Sequence, residues 1–214
     1  MLKLHKINFL FIFKIQFNKL TIMKLTFGPQ RLLLPLPTVL VVSGDMDSAN
    51  IATIAWISML TGNPPTLGIS VGTMGFSGEI IKRNKNFTVN IASVDIIEES
   101  DFCGITSGKN TNKFEKSGLT KLPSKTINSP IIKECPVNFE CKLVSYGIFG
   151  STNHFVGEIL ETHIDTDKLN DVQKAGSVNI EAVNPLIYIS GLREYREIGK
   201  RAGNAYKMGK KLLS

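Results

Sequence analysis

The chain has few of the residues from which disulfide-bonded and metal-bound frameworks are built. Its 214 residues include three cysteines, Cys103, Cys135 and Cys141, and these lack the paired CxxC spacing of zinc sites. We therefore predict neither a disulfide framework nor a metal site, and we expect a protein of the reducing cytoplasm. Walker and GxGxxG phosphate-binding motifs are absent as well, so a P-loop or Rossmann fold is not indicated.

The sequence also lacks an uninterrupted apolar run of the ~20 residues that a membrane helix needs. The N-terminal segment 1–22 is apolar and basic, but Lys14 and Lys19 interrupt it and no small-residue cleavage site follows. We predict no membrane association. We interpret residues 1–22 as an N-terminal extension outside the core, residues 23–199 as one domain, and residues 200–214 as a basic C-terminal tail.

Charge is not concentrated in one region. The chain carries 25 Lys and Arg against 18 Asp and Glu, a formal net charge of +7, but the basic residues are interleaved with acidic ones, so no nucleic-acid partner is expected. A small anionic ligand, or surface solvation alone, accounts equally well for this balance. The basic residues from Gly191 onward have two interpretations: a solvated terminal helix, or a segment that folds over a cleft and touches an anion.

From Pro37 onward, Val- and Ile-rich stretches alternate with Gly, Pro, Asn and Asp clusters, which is typical of strands and turns. A turn at 147–153 predicts a hairpin between the two longest strands. Because the strands do not alternate with long helices, we predict a mainly β fold, an antiparallel barrel with inserted helices. The predicted strands are Thr38–Ser43, Ile51–Met59, Thr66–Val71, Asn86–Ile91, Val137–Phe149, His154–Ile164 and Leu186–Ile189, and the predicted helices are Ser77–Arg83, with Ser77 as its cap, Ile96–Asp101 and Asn112–Lys116.

Three segments have compositions suited to a flat ligand that carries a phosphate. Residues 50–56, NIATIAW, form a strand whose small side chains leave the backbone approachable. Residues 70–79, SVGTMGFSGE, form a strand-to-helix junction with hydroxyls and amides that could hold an anion. Residues 103–114 combine glycines and hydroxyls with Lys109 and Lys113, which could neutralise a phosphate. Each segment taken alone has a structural alternative: a packed strand for the first, a connecting turn for the second and a solvated loop for the third.

Taken together, these segments resemble the flavin reductase-like, or flavoredoxin, proteins of the FMN-binding split-barrel superfamily. The resemblance spans about residues 27–199. Its motifs are NIATIAW at 50–56, NPP at 63–65, FTVNIAS at 87–93, DFCGITSGKNTNKFEKSGL at 101–119, ECPVNFEC at 134–141 and HFVGEI at 154–159. The resemblance implies an antiparallel, Greek-key-like split barrel that forms a homodimer, with FMN bound near the subunit interface.

Carried over position by position, the resemblance also implies the site. His154 would be the catalytic residue, a nicotinamide contact or proton donor, although a structural role for a histidine at a strand end is the alternative. The sequence departs from many relatives in the junction, where they carry an arginine in place of Gly72 or Gly75. Lys109, Lys113 or the basic tail would then supply the charge for the phosphate, and if none does, FMN would bind weakly enough to exchange as a substrate. The implied FMN-binding residues are Asn50, Ile51, Ala52, Thr53, Ala55, Trp56, Ser58, Thr73, Ser77, Cys103, Gly104, Ser107, Lys109, Lys113 and Phe155.

The function implied is that of an FMN-binding oxidoreductase, either a flavoredoxin or an NAD(P)H-dependent flavin reductase. Its electron donor would be NAD(P)H or a reduced protein, and the flavin would carry out the redox step while the protein positions and tunes it. A non-catalytic FMN-binding or electron-carrier protein on the same fold is the alternative. A colourless anion- or nucleic-acid-binding barrel is a third hypothesis, against which the dispersed charge argues.

Overall fold

The computed structural model of the protein describes residues 13–17 and 20–213. The chain divides into two compact units, residues 1–33 and 34–214. In the first unit, β1 (Phe13–Phe17) and β2 (Leu20–Lys24) pair as an antiparallel hairpin. Much of the extension predicted at 1–22 lies outside the described residues. No helix in the described part of the chain is long and apolar enough to cross a membrane.

Seven strands of the second unit form one antiparallel sheet. They are β4 (Val39–Ser43), β5 (Asn50–Ile54), β6 (Ile57–Gly62), β7 (Pro65–Gly72), β8 (Asn86–Ile91), β11 (Val137–Phe149) and β12 (Thr152–Ile164). Their order in the sheet is β5-β4-β8-β11-β12-β7-β6. The longest pair, β11 and β12, forms the predicted hairpin, and the mainly β, antiparallel fold is thus confirmed.

The sheet wraps around one apolar interior. Alternate residues of its strands, among them Val41, Ile69 and Phe87, are fully buried in a single cluster, because successive side chains of a strand point to opposite faces. The single strand predicted at Ile51–Met59 is wrong. The chain leaves the strand at residues 55–56, where the Trp56 carbonyl accepts from the Ser70 amide. The two resulting strands, β5 and β6, lie at opposite ends of the strand order.

The remaining strands are short. Strands β3 (Leu36–Pro37), β13 (Ile187–Ile189) and β14 (Glu194–Arg196) form a three-stranded sheet, and β9 (Lys121–Leu122) pairs with β10 (Ile131–Ile132). The late strand predicted at 186–189 is therefore present. The basic segment from Gly191 onward begins with β14, and a 3-10 turn at Met208–Leu212, rather than a long helix, lies near its end.

Four helices are described: α1 (Phe76–Asn84), α2 (Ile97–Ile105), α3 (Lys113–Ser117) and α4 (Ile180–Val183). The predicted cap at Ser77 is wrong, because Gly75 occupies the cap position of α1 and Ser77 is buried inside the helix. Helix α2 continues past the predicted end at Asp101 to Ile105. A second apolar cluster, which includes Ile51 and Phe114, packs α2 and α3 against the outside of the barrel.

Candidate functional site

A central cleft lies between the edge strand β5, the start of α1 and the end of α2. It has a volume of about 310 Å³ and is lined by residues 50, 52–53, 71, 74–77, 103–108 and 113. These residues come from all three segments singled out in the sequence, so the fold brings the three together. Gly75, Phe76 and Ser77 place the first turn of α1 at the cleft. The first amides of a helix can bind an anion, but the Gly75 amide already donates to the Gly72 carbonyl.

Lys113 fastens the two long walls of this cleft to each other. Its ammonium donates to the Ile51 carbonyl of β5 at 2.8 Å and to the Cys103 carbonyl of α2 at 2.7 Å. The side chain is 5% exposed, and burial lowers the pKa of its amine, with the neighbouring Cys103 acting in the opposite direction. Lys113, for which the sequence suggested a phosphate contact with a solvated loop lysine as the alternative, is therefore an internal cross-link.

Close packing shapes the middle of the cleft. The Asn50 amide donates to the Ser77 hydroxyl at 2.7 Å, which joins β5 to α1. At Gly108, an added Cβ would lie 1.9 Å from the Asn50 Oδ1 atom, so a larger residue there would force the Asn50 side chain to move. The backbone of the 103–108 segment consequently comes close to β5.

A polar cavity of about 350 Å³ adjoins the central cleft, with which it shares Asn50, Phe76 and Gly108. Its further lining includes Asp47, Lys109, Lys121 and the hydroxyl and amide side chains of residues 110–112. The Lys109 Nζ atom lies 3.6 Å from a Glu79 carboxylate oxygen, and the Lys121 ammonium donates to the Met46 carbonyl. Two ammonium groups and several neutral donors, against the one carboxylate of Asp47, suit an anion such as a phosphate.

A third cavity, of about 310 Å³, adjoins the other side of the central cleft, with which it shares Thr53, Gly104 and Ile105. Its outer wall is Tyr188, Arg193 and Tyr195 from the β13–β14 hairpin. The two tyrosine rings lie 5.7 Å apart. We call the three adjoining cavities together the groove, with a polar end and an aromatic end.

The sequence model of the flavin reductase like domain family matches residues 31–199. The chain belongs to this family. Two solved structures are each 30% identical to it and superimpose with a TM-score of 0.79 over 87% of this chain: the flavoredoxin of Desulfovibrio vulgaris (Miyazaki F), covered over 100% of its length, and the flavoredoxin of Methanosarcina acetivorans, covered over 98%. An uncharacterised protein of Archaeoglobus fulgidus is 37% identical over 137 residues, which are 64% of this chain and 77% of that protein.

Membership of the flavin reductase like family confirms the family resemblance and the split-barrel fold, and it indicates a flavin-related oxidoreductase. The groove collects most of the implied FMN-binding residues. Eight line the central cleft, Ala55 lines the aromatic end and Lys109 lines the polar end. The eight are Asn50, Ala52, Thr53, Ser77, Cys103, Gly104, Ser107 and Lys113.

Other implied residues do not line these three cavities. Ile51 and Phe155 are both 0% exposed in the two apolar clusters, so their side chains cannot cover a flavin. Trp56 is 45% exposed at the break between β5 and β6, and Ser58 lies on β6. The amide of Thr73 donates to the Ser151 carbonyl in the turn after β7.

His154 lies on β12, away from the groove lining. Its Nδ1 atom is 3.1 Å from the Ser70 hydroxyl of the neighbouring strand, and Gly68 leaves room for its ring, since a Cβ there would be 2.7 Å from Nε2. This packing favours the structural interpretation of His154. The thiol of Cys103 is also unsuited to chemistry, because burial raises its pKa to about 11 and keeps it protonated at neutral pH.

Three residues that β9 and the C-terminal hairpin bring to the groove, Lys121, Tyr188 and Tyr195, were not predicted, because they lie far along the chain from β5 and belong to no recognisable motif. Arg193 lies in the basic segment from Gly191 onward, for which contact with a cleft was one of the two interpretations, and the structure places it on the wall of the third cavity. The alternation YISGLREY at 188–195 is the one local signal of the hairpin. It does not indicate where the hairpin packs.

Proposed function

We propose that the protein binds FMN in the groove and transfers electrons through it, as a flavoredoxin or an NAD(P)H-dependent flavin reductase. The main support for this proposal is that the chemistry of the lining residues changes along the groove, in a chain that belongs to the flavin reductase like family. One end offers Lys109 and Lys121, the middle offers hydroxyls and backbone, and the other end offers tyrosine rings. FMN changes in the same order, from phosphate through ribityl chain to a flat ring.

Two structural details support the fit. Gly108 keeps side chains out of the middle of the groove, where any Cβ would collide with Asn50. At the aromatic end, Thr38 is 1% exposed and its hydroxyl has no hydrogen-bond partner among the described residues. Buried hydroxyls are usually paired, so this one is available to a ligand.

FMN would supply the redox chemistry, the transfer of electrons between a donor and an acceptor. The residues of the groove would bind and orient it. Lys109 and Lys121 would neutralise the phosphate, and Lys113 would keep β5 and α2 at a fixed separation. No protein acid or base is required of these residues.

We further propose that the functional form is a homodimer. Apolar side chains are exposed on β6 and on the last residues of β11: Met59 at 60%, Ile148 at 63% and Phe149 at 71%. Exposed apolar clusters commonly mark protein contacts. The free thiols of all three cysteines agree with a cytoplasmic location.

The test is an absorbance spectrum of purified protein with and without FMN, followed by anaerobic NADH and NADPH. Visible flavin bands that bleach with a nicotinamide establish the reductase. Bands that resist both nicotinamides but bleach with a reduced electron-transfer protein establish the flavoredoxin. A flavin that exchanges electrons with neither indicates a non-catalytic binding protein, and absence of FMN uptake refutes the proposal.

A further inference from the structure

The aromatic end of the groove contains two opposite charges that are not paired with each other. Asp101 of α2 and Arg193 of the β13–β14 turn both line it, yet among the described residues no carboxylate lies within ion-pair distance of Arg193. The Asp101 carboxylate instead accepts from the Tyr195 hydroxyl at 3.1 Å. The guanidinium is therefore available to a negative charge that enters the cavity.

The backbone at Arg193 is unusual as well. Its φ is +56°, a left-handed conformation that residues other than glycine seldom adopt. The amide of Arg193 donates to the Ile189 carbonyl at 2.8 Å, which holds the turn in this shape. Such conformations cluster at ligand sites, and here the turn places Arg193 on the cavity wall.

We propose that the β13–β14 hairpin forms the ring end of the flavin site and that Arg193 stabilises the negative charge that FMN gains on reduction. This inference rests on the proposed function. Two electrons and one proton convert neutral flavin into an anionic reduced form at neutral pH, so a reductant leaves one additional negative charge on the ring. Arg193 is exposed on the cavity wall, and a positive charge at the ring end binds the reduced form more tightly than the oxidised form.

Asp101 has the opposite effect on the same equilibrium. Its carboxylate repels the added charge, while the hydrogen bond from Tyr195 disperses part of its own. Removal of the two charges should therefore shift the reduction potential of bound FMN in opposite directions. A merely structural role for the hairpin predicts no such opposite shifts.

The experiment measures two quantities on full-length protein: the Kd of oxidised FMN, by titration, and the reduction potential of bound FMN, by dithionite titration against a reference dye. For Arg193→Gln we expect a threefold or smaller change in the oxidised Kd but about tenfold weaker binding of reduced FMN. For a two-electron couple, tenfold is a potential about 30 mV more negative. Arg193→Lys should retain most of the effect, and Asp101→Asn should shift the potential upward.

Arg196→Gln is the matched control, because Arg196 is on the same hairpin, is ion-paired with Glu194 and does not line the cavity. Equal shifts for the two glutamine variants, or equal losses of oxidised and reduced FMN binding in Arg193→Gln, overturn the inference. If Arg193→Gln does not fold, the sign of the Asp101→Asn shift decides. If wild-type protein takes up no FMN, the proposed function itself is refuted. The titration of wild-type protein with oxidised FMN therefore distinguishes that outcome from failure of the Arg193 inference.

Discussion

Replacement of Lys113 by methionine tests whether a buried ammonium holds the groove together. Lys113→Met retains an unbranched stem but removes two charge-assisted hydrogen bonds, to the carbonyls of Ile51 and Cys103. Loss of each such bond costs about 1.5–3 kcal/mol, partly offset because the buried charge no longer has to be desolvated. We expect a net loss of about 2–3 kcal/mol in the free energy of unfolding.

For a domain of this size that loss corresponds to a Tm lowered by roughly 4–12 °C, measured by urea and thermal unfolding followed by circular dichroism. FMN affinity should fall as well, because both carbonyls belong to walls of the cleft. Lys116→Met is the control, since Lys116 lies on the same helix and is exposed. If the two variants have the same free energy of unfolding within experimental error, the cross-link has no energetic importance and the reasoning is refuted.

Three further perturbations test the groove, the pH dependence and the apolar surface. Gly108→Ala should weaken FMN binding about tenfold while the fold persists, because the added methyl displaces the Asn50 side chain and breaks its hydrogen bond to Ser77. Gly176→Ala, which meets nothing within 4 Å, should leave the titration unchanged. Burial disfavours the charged form of Glu140, but hydrogen bonds that include two backbone amides outweigh this effect and lower the pKa of its carboxyl from the usual 4.5 to about 2. Glu140→Gln should therefore lower the free energy of unfolding by roughly 2–3 kcal/mol at pH 7. In unfolding experiments at decreasing pH, this difference from wild type should disappear as the pH falls from about 4.5 to about 2. Phe149→Ser should weaken the dimer in analytical ultracentrifugation, and an unchanged dimer would place the interface elsewhere.

Local patterns in the sequence were sufficient for most of the sheet and for the three site segments. The strands follow from period-two burial, as in β8, whose Phe87 and Val89 point into the barrel. The site segments were recognisable because glycine and hydroxyl residues are concentrated over short stretches. Asn50 and Ser77 belong to different segments, yet each was identified locally before the structure joined them through a hydrogen bond.

Properties that depend on long-range packing could not be predicted in this way. Lysine is ordinarily solvated, and the burial of Lys113 depends on two carbonyls that only the folded β5 and α2 bring together. The break at residues 55–56 depends on the chain crossing to the other end of the strand order, which the alternation of residues 51–59 does not reveal. Arg193 reaches the groove through a hairpin that lies near the opposite end of the chain from Thr53. The basic composition from Gly191 onward left contact with a cleft as one of two interpretations, but it does not encode which residue makes that contact.

The barrel interior is filled, and this determines where a cofactor can bind. Phe87 and Phe155 are 0% exposed inside it, so the groove lies outside the barrel, between β5 and the helices that cover it. A flavin held there would meet its donor and acceptor at the protein surface rather than in a closed chamber. Donor specificity would then depend on residues at the rim, such as those of the β13–β14 hairpin, and would need no dinucleotide-binding motif, in agreement with the absence of one from the sequence.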